Sequence, residues 1–146
     1  GYLRKSTKNW KGGAWTLMIG LDTGFFVELL RNNSMAVKIW EGIIEGNESA
    51  VSCLTVYELK RLSLTGVIDS VAVDTILEAI RAISKVVWLD KAEILIAAAN
   101  ISQSQGIHGM DALILASLAS SNVKVIHTTD AHFEKYKKKC VTPKTR

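Results

Sequence analysis

Short, wholly apolar runs separated by segments of helical periodicity constrain this chain more than any other feature. Leu17-Met18-Ile19-Gly20-Leu21 is such a run and stops on Asp22, and Ala50-Val51-Ser52, Val86-Val87-Trp88-Leu89 and Val123 to His127 repeat the pattern. Strands covered on both faces read as near-continuous apolar stretches, the pattern of a parallel sheet. Between them the spacing predicts helices. The first begins at Phe25 and ends at Asn32-Asn33; the second has Ser34 as N-cap and carries Val37, Trp40, Ile43 and Ile44 on one face. Leu54 to Leu62 follows, then a helix through Val73, Ile76, Leu77 and Ile80, then Lys91 to Gln105 capped by Asp90. Gly106 to Gly109 breaks the chain before a last helix, 112–120, with Asp111 in its first turn. Strands alternating with helices predict an α/β fold: a three-layer α/β/α sandwich with a central, mainly parallel sheet of four to five strands.

At 146 residues the chain has the length of one domain with one core. Hydrophobic residues make up 48% and charged residues 22%, which excludes a disordered chain. No apolar run reaches the roughly 20 residues that span a bilayer, and residues 1–15 lack the apolar centre of a secretory signal. Cys53 and Cys140 stand far apart, which argues against a disulfide framework or a zinc cluster and for a reducing cytoplasm. The net charge of +4 hides a division. Residues 1–16 hold four bases and no acid, residues 134–146 hold six bases and Glu134, and residues 17–133 hold eight bases against thirteen acids. The organisation expected is therefore a basic N-terminal extension (1–16), an acidic domain (17–133) and a basic C-terminal tail (134–146). Basic ends can hold phosphates without base specificity, or can be solvated.

An open parallel sheet collects ligands at the carboxyl ends of its strands. Asp22 and Asp130 follow the first and last strands, while Glu58 and Asp111 fall on helices and are flanked by apolar residues. Each alone can be read as a turn, cap or surface residue: an Asp after a strand commonly caps a helix, and Glu58 could pair with Arg61 or Arg31. Together they would repel one another unless a cation intervenes. A hard divalent ion such as Mg²⁺ or Mn²⁺ takes oxygen ligands and needs only one to three carboxylates. It would also draw phosphate towards an acidic body.

The set of motifs resembles the PIN domain family, which includes the toxins of VapBC-type modules. The resemblance runs from about Met18 to Phe133. Its motifs are Ile19-Gly20-Leu21-Asp22-Thr23-Gly24-Phe25, Ser52 and Thr55 leading into Val56-Tyr57-Glu58-Leu59, the helix opening around Asp111-Ala112, and Val125-Ile126-His127-Thr128-Thr129-Asp130-Ala131-His132-Phe133. The resemblance implies a PIN-like fold and a metal-dependent endoribonuclease. Asp22, Glu58, Asp111 and Asp130 would be the catalytic acids, binding one or two Mg²⁺ or Mn²⁺ ions. A water activated there would attack phosphorus in line and leave a 5′-phosphate and a 3′-hydroxyl. Thr23 and Thr128 would support the acids, with His132 and Lys135 near enough in sequence to contact substrate. RNA, an antitoxin protein and a second copy of the chain are the partners implied. His132 stands where many relatives carry a further acid, Thr129 where several carry Arg or Asn, and Gly24 where a small polar residue is common.

Other readings are weaker. No Gly-x-Gly-x-x-Gly follows the first strand, so a dinucleotide-binding module is disfavoured. An aspartyl phosphatase would want an Asp where Gly24 stands. A phospho-acceptor regulatory domain would want a lysine after its last strand, where Lys135 is only loosely placed. A catalytically silent PIN-fold binding module and an RNA-processing nuclease without an antitoxin complete the alternatives. His108 and His127 lack the spacing of zinc ligands. Trp10, Trp15, Trp40 and Trp88 read as packing residues or tail anchors, and the apolar faces of 37–44 and 73–80 as core or dimer contacts.

Overall fold

The computed structural model describes residues 10–11, 14–15, 18–128 and 139–141. Among these, five strands make one parallel sheet: β3 (Ile19–Leu21), β4 (Ser49–Ser52), β5 (Lys85–Val87), β6 (Val125–His127) and β7 (Lys139–Val141), in the order β5-β4-β3-β6-β7. A separate antiparallel pair joins β1 (Trp10–Lys11) to β2 (Ala14–Trp15). Six helices of the described residues cover the sheet: α1 (Thr23–Leu30), α2 (Ser34–Ile44), α3 (Cys53–Leu64), α4 (Ser70–Ile83), α5 (Ala92–Gln105) and α6 (Gly109–Ala119).

Side chains alternate across each strand, so the sheet feeds two cores. Leu21 and Val51 face a layer made by Phe25, Phe26, Leu29, Trp40, Ile43, Leu59, Val73, Ile76 and Ile80 from α1 to α4. Ala50, Val87 and Ile126 face the opposite layer, where Ile94, Ala98 and Ile101 of α5 meet Ile114, Leu115 and Leu118 of α6. This is the expected three-layer sandwich. Gly20 is required on the α6 side: a Cβ there would lie 2.8 Å from Val123 Cγ1 and 3.3 Å from Ile126 Cγ1. Helix α6 is apolar nearly all round, as suits a helix covered on most sides.

The apolar faces of α2 and α4 are core, because Trp40, Ile43, Val73, Ile76 and Ile80 all point inward. Several boundaries shift from the expected ones. Asn33, not Ser34, caps α2, its Oδ1 accepting from the Met35 and Ala36 amides at 3.1 Å each. The carboxamide of Asn33 serves two amides at once, which leaves Ser34 to start the helix. Asp90 does not cap α5, which starts at Ala92 with Lys91 as an N-cap that makes no side-chain bond. Trp88 lies beyond the end of β5 and is 64% exposed, so it is not a packing residue, whereas Trp40 is. Strand β7 comes from the lysine-rich residues 134–146 and pairs His127 with Val141.

Candidate active site

Strand β3 is where the chain reverses its direction of travel across the sheet. From β3 it moves through α1 and α2 to β4 and then to β5; from β5 it returns through α5 and α6 to β6 on the other side of β3. The carboxyl ends of β3 and β6 are therefore the switch point at which an open α/β sheet forms its crevice. Asp22 follows β3, and Thr128 follows β6.

Asp22 is 4% exposed and uses both carboxylate oxygens. Oδ1 accepts from the Phe25 amide at 2.9 Å and caps α1. Oδ2 accepts from the hydroxyl of Thr128, a fully buried side chain. The capping role and the strand-end role thus coincide in one residue.

Glu58 lies on α3, which starts directly after β4 because Ser52 caps it, accepting from the Leu54 amide at 3.2 Å. Tyr57 is exposed and Leu59 fully buried, which leaves Glu58 half-buried at the margin of the core. Thr23, next to Asp22, donates its hydroxyl to Glu58 Oε1 at 2.5 Å. Among the described residues the surface pairs open to Glu58 are not made: Arg31 pairs with Glu28 at 3.3 Å, and Arg61 forms no ion pair with Glu58.

Asp111 is half-buried in the first turn of α6, where a negative charge suits the helix N-terminus. Strand β6 runs parallel to β3 and starts soon after α6 ends, so α6 descends from the carboxyl end of the sheet with Asp111 at its upper turn. Ser52 donates to Ser117 of α6 at 3.3 Å, tying the head of α3 to this helix. Asp130, His132 and Lys135 lie outside the described residues, as does Thr129.

The structure brings together Asp22, Thr23, Glu58 and Thr128, and to these adds Thr55, a member of the motif around Glu58 to which the sequence assigns no role. The hydroxyls of Thr55 and Thr23 are 3.1 Å apart, and Thr55 is fully buried. The signal for it is the three-residue step from Thr55 to Glu58, which puts both on one face of a helix. His127 is a second addition. Its ring lies against Phe25 at 6.3 Å between centroids, burial pushes its pKa below the usual 6.5, and its Nδ1 is buried without a hydrogen-bond partner among the described residues. Glu28, a buried acid on α1, belongs to its pair with Arg31.

Among the described residues no group of three or more His, Cys, Asp or Glu side chains is disposed to hold a metal ion. The donor set is nevertheless all oxygen, with carboxylates held by neutral hydroxyls. That suits Mg²⁺ or Mn²⁺, which need one or two protein carboxylates and keep several waters, and not a closed zinc cage.

The model of the PIN domain family matches residues 19–139, and the chain belongs to that family. Its fold is that of solved toxin–antitoxin proteins. The chain is similar to a protein of a toxin–antitoxin complex from Klebsiella pneumoniae, with a TM-score of 0.69 and 17% identity over 88% of this chain and 99% of that one. It is similar to a chain of VapBC-1 from nontypeable Haemophilus influenzae, with a TM-score of 0.65 and 20% identity over 86% and 98% of the two chains. A third relative is VapC20 of Mycobacterium tuberculosis, described as a sarcin–ricin loop cleaving toxin, with a TM-score of 0.64 and 15% identity over 82% and 95%. No curated protein matches the sequence.

Proposed function

We propose that this chain is an Mg²⁺- or Mn²⁺-dependent endoribonuclease and the toxin of a toxin–antitoxin pair. The observation that carries the reading is the treatment of Asp22 and Glu58. Both are held at the switch point by threonine hydroxyls, and hydroxyls orient a carboxylate without neutralising it. Acids oriented in this way at the mouth of an acidic domain suit a cation and, through it, a phosphate. The structural likeness to solved toxins of this type agrees with that chemistry.

Asp22, Glu58 and Asp111 would hold the ion, with Asp130 as the fourth acid. When bound, the ion supplies the charge that draws in the scissile phosphate and lowers the pKa of a water molecule. Thr128 and the Phe25 amide fix the Asp22 carboxylate in one orientation. Thr23 does the same for Glu58. His132, Lys135 and the other tail lysines would meet the RNA backbone. A second copy of the chain is expected as a partner and the cytoplasm as the compartment; no helix of the described residues is long and apolar enough to cross a membrane.

Labelled RNA incubated with the full chain and Mn²⁺, beside Asp22→Asn and Asp111→Asn, tests the reading. Cleavage is expected with the wild type and lost by at least about a hundredfold in both variants, the order of one to two essential charge interactions. Equal cleavage by all three would sink it. RNA binding without cleavage by the wild type would favour the silent binding module.

A further inference from the structure

We infer that Thr23 is a two-way hydroxyl, which donates to Glu58 while that carboxylate is unopposed and gives its proton to Thr55 when a divalent cation binds. The single proton of Thr23 has two acceptors in reach, Glu58 Oε1 at 2.5 Å and Thr55 Oγ1 at 3.1 Å. The two compete for it. A charged acceptor makes the stronger bond, so Glu58 holds the proton as long as its charge is not met by another cation. Thr55 is the second acceptor, a positioning residue that acts on Glu58 only through Thr23.

The placement of the three side chains suits such a turn. Thr23 opens α1, and Thr55 and Glu58 stand one turn apart on α3, so both acceptors meet the same hydroxyl across the contact of the two helices. Glu58 is half-buried at the margin of the core and Thr55 fully buried within it. Turning the proton from Glu58 to Thr55 therefore points it away from the crevice and towards the core. A cation on the Glu58 carboxylate favours that turn, because it repels the positive end of the hydroxyl dipole and attracts the oxygen end. Mg²⁺ and Mn²⁺ also keep several waters, and a Thr23 oxygen freed of its bond to Glu58 can accept from one of them. Without Thr55 the turned proton would point into the core with no acceptor, which costs about the worth of a hydrogen bond.

The inference rests on the nuclease reading for its cation, and Mn²⁺ titration of the full chain separates the two. Binding is followed by the relaxation enhancement of water protons, independently of RNA cleavage. Thr55→Val keeps the branched shape and removes the acceptor, while Thr55→Ser keeps the acceptor. Mn²⁺ affinity is expected within about twofold of wild type for Thr55→Ser and about three- to tenfold weaker for Thr55→Val, the worth of one hydrogen bond. In a Thr23→Val background there is no proton to receive, so adding Thr55→Val should change the affinity by less than about twofold, the mark of a coupled pair. A Thr55→Val protein that binds Mn²⁺ as wild type does overturns the inference and leaves the nuclease reading standing. An equal loss with and without the Thr23 hydroxyl also overturns it, since Thr55 would then act by packing. A wild type that binds no Mn²⁺ overturns the nuclease reading and the inference with it. Should Thr55→Val not fold, Thr55→Ala removes the same acceptor with less bulk and must show the same dependence on Thr23.

Discussion

Replacing Asp22 by Asn and by Ala separates what its charge does from what its shape does. Asn keeps an oxygen that can cap α1 at the Phe25 amide, now 2.9 Å from Oδ1, and Asn is as good an N-cap as Asp. Its amide group would face Thr128, whose hydroxyl can turn to accept from it. Stability should therefore fall by about 1–3 kcal/mol, about 1 kcal/mol less than with Ala, since the cap is kept but the turned Thr128 hydroxyl gives up its bond to the carboxylate. Ala loses the cap, at about 1 kcal/mol, and leaves the buried Thr128 hydroxyl without its acceptor, at about 1–3 kcal/mol more. The two together come to about 2–4 kcal/mol, or roughly 6–12 °C in melting temperature for a domain of this size. Thermal denaturation followed by circular dichroism, beside the RNA-cleavage assay, reads both effects. Asn is expected to melt between wild type and Ala, with cleavage abolished in both. If Asn destabilises as much as Ala, the fold depends on the charge and the division of roles is wrong. If Asn cleaves RNA normally, Asp22 has no part in the chemistry.

Gly20→Ala should destabilise by about 1–3 kcal/mol, because its Cβ must push Val123 and Ile126 out of close packing; an unchanged denaturant midpoint would show that these two side chains yield freely. Trp40→Ala should cost about 3–5 kcal/mol and Trp88→Ala less than about 0.5 kcal/mol, measured by urea unfolding, since one is core and the other 64% exposed. His127 has its pKa lowered by burial, so above pH 6.5 it is neutral folded or unfolded and adds nothing to the pH dependence. Below 6.5 the unfolded chain takes up the proton more readily, so stability falls with pH; the fall should be shallower in His127→Gln, and an identical fall would refute the assignment. Substituting Ser for Lys135, Lys137 and Lys138 spares β7 and should flatten the salt dependence of RNA binding, by about 0.7 in log–log slope for each phosphate no longer neutralised. An unchanged slope would show that these lysines stay clear of the RNA.

The sheet is legible because its inner strands are covered on both faces and therefore spell apolar runs: 19–21 and 125–127 fall inside the runs of the sequence, and 49–52 starts one residue before its run. Strand β7 is not, since Lys139-Cys140-Val141 is the last strand of the sheet among the described residues, where a single ladder holds it and no apolar run is needed. Caps are legible in kind but not in register, because Asn33 and Ser34 are both good caps and only the reach of a side chain to two amides decides between them. In the site, Asp22 and Glu58 stand out as acids at element boundaries. Thr55 does not, for a hydroxyl three residues before a Glu is common and its meaning depends on Thr23, 32 positions away. Trp88 misleads for the opposite reason: a tryptophan beside an apolar run looks like core, and nothing local says that the strand stops at Val87.

The lock between Thr128 and Asp22 joins residues 106 positions apart. Closing such a span is the slowest kind of step in building a parallel sheet, so the crevice is completed only when β6 docks beside β3. Before that moment the chain can already have its α1–α4 layer, with Asp22 capping a helix and Glu58 in place, and still lack the second hold on Asp22. The same asymmetry runs backwards in the finished protein. A partial opening that frees β6 and leaves the helices packed would release Asp22 first, so loss of activity should precede loss of helix signal in a denaturant titration. The stretch of chain that ends in Thr128 is thus the latch on Asp22, and whatever grips or loosens it would change how that carboxylate is held without touching it.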